Sequence, residues 1–140
     1  MALKKQEFYE GAALHLLART GNVRGVRYDP PLFCLNDRLL LHLKYSTKGR
    51  SPWGFTFLPE EQVLLRDKAR TMPLVIGLIC GSDGVAAVPY DAFNAIVEVG
   101  RSAAHIACYR SHGEHYAVTG PAGRLSRKIP PSNWPRILEF

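Results

Sequence analysis

The segment 73–81, PLVIGLICG, constrains the fold more than any other part of the sequence. Its apolar residues are continuous rather than alternating, which is typical of a strand that is buried on both faces. The segment is also too short for a membrane span, which needs about 20 apolar residues. It therefore predicts a strand of a central sheet that other layers cover on both faces.

Helical and strand-like patterns precede this strand. Residues 4–19 have helical spacing, and strands are expected over residues 23–47, with a bend at two adjacent prolines and a hairpin turn at 35–37. Residues 48–52 form a polar, basic loop, and the aromatic residues of 53–58 alternate on one face of a short strand. The expected apolar stripe of the first helix consists of Phe8, Ala12, Leu16 and Leu17.

A second helix is expected at 59–70, where Pro59 begins the helix and Val63, Leu64 and Leu65 face the core. A strand at 85–90 would pair with the central strand. A short helix would follow, with Asp91 as its N-cap. Residues 105–121 have the pattern of a hairpin, and a last helix would begin near residue 132.

The resulting order is helix, three strands, helix, strand and strand, followed by small additions. This order predicts a mixed α/β fold in which helices cover the faces of a central sheet. The 140 residues fit one domain, and 46% hydrophobic and 21% charged residues are typical of a globular protein. The N-terminus lacks the apolar core of a signal peptide, so a soluble cytoplasmic protein without a membrane segment is expected.

The charge is positive, since 18 Lys and Arg exceed 12 Asp and Glu by six. Such a surplus permits nucleic-acid binding, and it is equally compatible with a soluble protein that binds none. The three cysteines, Cys34, Cys80 and Cys108, have no CxxC spacing. Because Cys34 and Cys80 lie in apolar segments, we expect buried free thiols rather than disulfides.

The expected strand 39–46, LLLHLKYS, contains a polar pair, His42 and Lys44. Residues two apart on a strand point to the same face, so the imidazole and the ammonium are side by side. One interpretation is a solvent-facing polar pair at a sheet edge. The other is a functional site, and the residues around the pair favour it when they are taken together.

An acidic helix precedes the strand pair, Asp29 stands at the start of the first strand, and the polar-x-Lys pair follows. This arrangement resembles the PD-(D/E)xK, or restriction-endonuclease-like, nuclease superfamily, with an α-β-β-β-α-β core. The resemblance implies that Asp29 is the aspartate, His42-Leu43-Lys44 takes the place of (D/E)xK, and Glu7 or Glu10 supplies the helix acid. Residues 29 and 42 would then lie side by side on adjacent strands.

The resemblance covers about residues 4–90 and implies one domain over 1–140 with a basic C-terminal extension. It further implies a metal-dependent DNA endonuclease or resolvase, expected to be a homodimer. Asp29, His42 and Glu10 would bind Mg²⁺ or Mn²⁺, which lowers the pKa of attacking water. Lys44 would orient that water or stabilise developing charge.

His42 departs from the family pattern, because an imidazole replaces a carboxylate. Imidazole suits Mn²⁺ or Zn²⁺ better than Mg²⁺. Two alternatives therefore stay open: a nuclease with an altered metal site, or a catalytically inactive nuclease fold that binds nucleic acid or a protein partner. An unrelated α/β interaction protein is a third class.

Two basic clusters are candidates for contacts with DNA phosphates. The alternative for both is an ordinary solvated loop. A further polar group, SHGEHY at 111–116, is expected to be an exposed hairpin tip rather than a metal site. The first basic cluster consists of Lys48 and Arg50, and the second of Arg124, Arg127 and Lys128.

Overall fold

The computed structural model describes residues 2–139, and it is a mixed α/β fold with two sheets. The helices are α1 (Lys5–Ala18), α2 (Pro59–Ala69) and α3 (Tyr90–Val97), followed by a C-terminal 3-10 helix, Pro131–Glu139. The strands are β1 (Val26–Asp29), β2 (Leu32–Leu35), β3 (Leu39–Ser46), β4 (Trp53–Phe57), β5 (Leu74–Cys80), β6 (Gly84–Pro89), β7 (Ala104–Tyr109), β8 (Ala117–Gly120) and β9 (Gly123–Arg124).

The first sheet has the order β1-β2-β3-β5-β6. Strands β3 and β5 are parallel, and the other neighbours are antiparallel. The apolar run is strand β5, and it is buried on both faces as the sequence predicts. Ile76 and Leu78 contribute to one apolar core, while Ile79 contributes to the other.

The second sheet, β4-β7-β8-β9, packs against one face of the first and was not expected from the sequence. Trp53, Phe55 and Phe57 alternate inward from β4, as predicted, and form part of the core between the two sheets. Helices α2 and α3 contribute to this same core. Helix α1 and the 3-10 helix cover the opposite face of the first sheet.

The buried stripe of α1 agrees with the prediction at Leu16 and Leu17 but differs from it in the first half of the helix. Phe8 is 62% exposed, whereas Ala13 and Leu17 are fully buried and Tyr9 packs against the same core. Tyr9 stacks on Tyr45 of β3, with ring centroids 5.0 Å apart. The expectation that Phe8 and Ala12 face the core is therefore wrong, because Tyr9 and Ala13 offer the same four-residue spacing.

Two expectations about the other helices are also wrong. In α2 the inward positions are Gln62 and Leu65, so the prediction is confirmed for Leu65, whereas Val63 is exposed and Leu64 is half-buried. The Gln62 amide donates to the carbonyl groups of Phe57 and Ser102, which satisfies this polar side chain inside the core. Helix α3 begins after Pro89, so Asp91 lies in its first turn and is not the N-cap.

The hairpin turn before β3 and the buried free cysteines agree with the expectations from the sequence. Asn36 and Asp37 both have φ of 54°, and they form the hairpin turn that joins β2 to β3. All three cysteines are free and buried. Within residues 2–139, no helix has the length and hydropathy that crossing a membrane requires.

Candidate polar site between strand β3 and helix α2

The candidate site lies where β3 extends beyond the end of β2. Strand β2 pairs with β3 only from Leu39 to His42, whereas β5 pairs with β3 as far as Ser46. The chain turns away at Pro31, which leaves one side of the later part of β3 without a strand neighbour in this sheet. A pocket of about 430 Å³ opens there, lined by Gln6, Glu10, Pro31, His42, Leu43, Lys44, Tyr45, Gly54, Phe55, Thr56 and Glu61.

His42 and Lys44 point toward the same carboxylate, that of Glu61 in the first turn of α2. The His42 Nε2 lies 2.6 Å from Glu61 Oε2, and the Lys44 Nζ lies 2.9 Å from the same oxygen. Glu61 Oε1 accepts from the Leu58 backbone N–H at 3.1 Å, which fixes the carboxylate at the helix start. The polar pair on β3 and helix α2 are thus joined by one partly buried polar cluster.

The polar pair faces the core between the layers. His42 is 4% exposed, and its Nδ1 lies 3.3 Å from the Pro31 carbonyl oxygen. Lys44 donates to the Thr56 carbonyl at 2.7 Å, and its Nζ lies 4.7 Å from the centre of the Phe57 ring. The interpretation of a solvent-facing polar pair at a sheet edge is therefore wrong.

The environment of Glu61 determines its charge. Burial raises the pKa of the Glu61 carboxyl, but hydrogen bonds from His42 and Lys44, together with their charges, outweigh burial and lower the pKa from 4.5 to about 2. Glu61 is therefore ionised throughout the physiological pH range. Its negative charge compensates the Lys44 ammonium in a place where an unpaired charge is costly.

The two candidate acids of α1 have different surroundings. Glu10 lines the pocket and accepts a hydrogen bond from the Gln6 amide at 2.8 Å. Glu7 instead accepts from the Lys4 backbone N–H at 2.8 Å, as part of the N-terminal cap of the helix. Of these two acids, only Glu10 lines the same pocket as His42 and Lys44.

Asp29 does not line this pocket. It is an exposed residue at the end of β1, where it pairs with Leu32, and Leu32 in turn pairs with His42. Strand β2 therefore separates Asp29 from His42, and two strand spacings amount to about 10 Å. The expectation that residues 29 and 42 lie on adjacent strands is wrong, because the turn at 30–31 inserts β2 between them.

The donors for a metal ion are few around this cluster. Within residues 2–139, no three or more His, Cys, Asp and Glu side chains are grouped as metal ligands would be. The carboxylates that line the pocket are Glu10 and Glu61. One or two carboxylates, completed by substrate phosphate and water, are a common ligand set for Mg²⁺. The donor chemistry of the pocket is therefore compatible with an oxygen-seeking cation.

The predicted DNA-contact residues are all exposed. Lys48 and Arg50 lie in the loop that follows β3, directly after the strand that carries the polar pair. Lys128 also forms an ion pair with Glu114 at 3.2 Å. Arg124 lies on β9, and Arg127 follows in the next segment.

His112 and His115 are exposed beside Glu114, in agreement with the predicted hairpin tip.

Glu61 is a site residue that the sequence pattern does not predict. Its only local signal is the start of α2, where acidic residues following Pro59 are explained equally well by favourable interaction with the helix dipole. The position of the carboxylate against β3 depends on how α2 packs, and that packing has no local signature in the sequence.

Comparison of the chain with protein-family models, with curated proteins and with solved structures finds no significant match.

Proposed function

We propose that this protein is a divalent-metal-dependent DNA endonuclease or resolvase and that the pocket beside β3 is its active site. The observation that carries the proposal is the position of Glu61. Its carboxylate lies within 2.9 Å of both the His42 imidazole and the Lys44 ammonium, and Glu61 lines the same pocket as Glu10. An acidic group thus stands beside the strand lysine, although the strand itself carries His42 in the acidic position.

The order of the elements also supports the proposal. Helix α1, strands β1, β2 and β3, helix α2 and strand β5 follow one another as an α-β-β-β-α-β core, with β4 as an addition before α2. The first helix and α2 contribute to the cores on opposite faces of the sheet. This order is the one implied by the resemblance to the PD-(D/E)xK nucleases.

Four residues of the pocket have a part in the proposed reaction. Glu10 would hold the cation, and a bound cation neutralises phosphate charge and lowers the pKa of water. Glu61 would keep Lys44 in place, since its two oxygens already accept from His42, Lys44 and the Leu58 N–H. The Lys44 ammonium would stabilise the charge that develops on the phosphate oxygens. His42 acts as a positioning residue, because its Nε2 contacts Glu61 Oε2 at 2.6 Å and keeps the carboxylate turned toward β3.

Cleavage of supercoiled and branched DNA tests this proposal. The wild-type chain is incubated with each DNA in Mg²⁺, in Mn²⁺ and in EDTA, next to Lys44→Ala and the exposed control Lys5→Ala. We expect metal-dependent cleavage that Lys44→Ala reduces by about 100-fold or more and Lys5→Ala leaves unchanged. Equal cleavage by all three proteins would contradict the proposal, since it would come from a contaminating nuclease.

A second candidate function is nucleic-acid binding without cleavage, and the position of Asp29 favours it. Asp29, the aspartate of the motif, does not line the pocket, while Lys48 and Arg50 are exposed in the loop that follows β3. Phosphate contacts make binding fall steeply with salt. Salt-sensitive DNA binding that Lys48→Ala and Arg50→Ala weaken, with no cleavage in either metal, would support this candidate over the nuclease. The absence of DNA binding at low salt would contradict both.

A further inference from the structure

Strand β1 is an edge strand with an exposed surface. It stands at the end of the first sheet, and all four of its residues are exposed. Tyr28 is 56% exposed although it stacks on Phe33, with ring centroids 4.7 Å apart. Val26 is also exposed. An exposed edge with apolar side chains is a site for pairing with another strand.

The backbone of β1 has hydrogen-bonding groups that point away from the sheet. The Asn36 N–H donates to the Gly25 carbonyl at 2.9 Å, so Gly25 directs its backbone toward β2. In an antiparallel pair, alternate residues direct their backbone groups to the partner. Arg27 therefore also bonds toward β2, whereas Val26 and Tyr28 direct their N–H and C=O groups outward.

The charges of β1 are complementary to those of a second β1. Arg27 and Asp29 flank Tyr28, and they share one face of the strand because they are two residues apart. If two copies pair in antiparallel orientation with Tyr28 opposite Tyr28, Arg27 of each copy stands opposite Asp29 of the other. Opposite charges at directly paired positions stabilise a sheet. Arg27 already contacts Asp37 at 2.7 Å, and its remaining guanidinium N–H groups can serve Asp29 of the partner subunit.

We propose that β1 is a homodimer interface, and that a second copy of this chain pairs with it in antiparallel orientation about a two-fold axis at Tyr28. The interface is isologous, since each copy presents the same residues to the other. Tyr28 supplies outward N–H and C=O groups that pair reciprocally across the axis. The two five-stranded sheets then form one continuous sheet. Because β1 has four residues, the dimer is expected to dissociate on dilution.

This pairing has a geometric consequence for the polar site. A two-fold axis perpendicular to the sheet keeps both pockets on the same face. The two copies of His42 are separated by five strand spacings, which amount to about 24 Å across the sheet. The dimer would thus present two copies of the pocket side by side to one extended ligand. The interface itself does not depend on the proposed nuclease activity.

Charge exchange at β1 tests the interface. Sedimentation velocity over a hundredfold concentration range would compare the wild type with Arg27→Asp, Asp29→Arg and the double variant Arg27→Asp/Asp29→Arg. Each single variant places like charges opposite one another at two symmetric positions, so we expect the dimer dissociation constant to rise by about 10- to 30-fold. The double variant restores opposite charges and should return the dissociation constant to near the wild-type value.

A mixture of the two single variants provides the matched control. Arg27→Asp carries two acidic residues on its edge, and Asp29→Arg carries two basic residues. The mixed dimer should therefore form more tightly than either variant alone. Circular dichroism checks that every variant is folded. A wild-type chain that stays monomeric at the highest concentration, or a dimer whose dissociation constant neither single variant raises, would overturn the proposal.

Discussion

Replacing Glu61 with glutamine removes one charge from the cluster and preserves its shape. The carboxylate is 16% exposed, and its pKa is lowered from 4.5 to about 2 by the partners on β3. The difference between the unfolded pKa of 4.5 and the folded pKa of about 2 corresponds to about 3–4 kcal/mol, at about 1.4 kcal/mol for each tenfold change in proton binding. Because the side chain is partly exposed to solvent, which screens its charge, Glu61→Gln should lower the free energy of unfolding at pH 7 by up to about 3 kcal/mol.

The difference between the folded and unfolded pKa values of Glu61 also determines how the stability loss in Glu61→Gln depends on pH. Because the folded-state pKa of Glu61 is below the unfolded value of 4.5, the stabilisation is fully present above pH 4.5 and disappears as the pH falls toward 2. Urea denaturation of the wild type and of Glu61→Gln at several pH values measures this. The difference in the free energy of unfolding between the two proteins should be nearly constant from pH 7 to 5. It should fall to less than half of that value by about pH 3.

Glu60→Gln is the matched control, since Glu60 is exposed and adjacent on the same helix. Its effect on the free energy of unfolding should stay within about 0.5 kcal/mol at every pH. A difference in the free energy of unfolding between wild type and Glu61→Gln that is below about 0.5 kcal/mol at pH 7, or that does not change with pH, would refute the inference that His42 and Lys44 stabilise an ionised Glu61.

The remaining predictions concern the core and are measured by urea denaturation at pH 7. A Cβ at Gly77 would lie 2.8 Å from the Trp134 ring, so Gly77→Ala should cost about 1–3 kcal/mol, whereas Gly54→Ala meets no atom within 4 Å and should be nearly neutral. The buried Tyr116 hydroxyl donates to Asp83 at 2.6 Å, so Tyr116→Phe should cost about 1.5–3 kcal/mol. An equal effect of the two glycine substitutions, or a Tyr116→Phe chain as stable as the wild type, would contradict these assignments.

The parts of the fold that local patterns determine could be predicted from the sequence. The apolar run of β5 and the alternation of Trp53, Phe55 and Phe57 follow from period and burial alone, and both are confirmed. The pairing of β4 with β7 joins Phe55 to Ile106, which are about 50 residues apart. No local pattern specifies such a partner, so the second sheet could not be predicted.

The stripe of α1 illustrates a limit of periodicity. Phe8 with Ala12 and Tyr9 with Ala13 have the same spacing, and both pairs are apolar enough to face a core. The stacking of Tyr9 on Tyr45 belongs to the packed structure and is absent from the helix pattern. The sequence therefore predicts a helix here but leaves open which of two neighbouring stripes is buried.

The candidate site could be predicted only in part, because some of its contacts depend on packing between elements that are distant in the sequence. His42 and Lys44 are linked by strand alternation, which is local, and the structure does place them on one face. Glu61 reaches them through the packing of α2 against the sheet, and Asp29 is separated from them because β2 lies between. The sequence pattern therefore identifies the His42–Lys44 pair, but the residues that contact this pair are determined by how the helices and strands pack.

The central claim is that the pocket at Glu61 and Lys44 hydrolyses DNA, and the most direct test is the cleavage rate of Glu61→Gln relative to Glu60→Gln. Both substitutions remove one carboxylate from the same turn of α2, but only Glu61 contacts the polar pair. Linear and branched DNA are incubated with each folded protein in Mg²⁺ and in Mn²⁺. We predict that Glu60→Gln cleaves at the wild-type rate and that Glu61→Gln is slower by about 100-fold or more. Equal rates for the two variants, or no cleavage by the wild type in either metal, would contradict the claim.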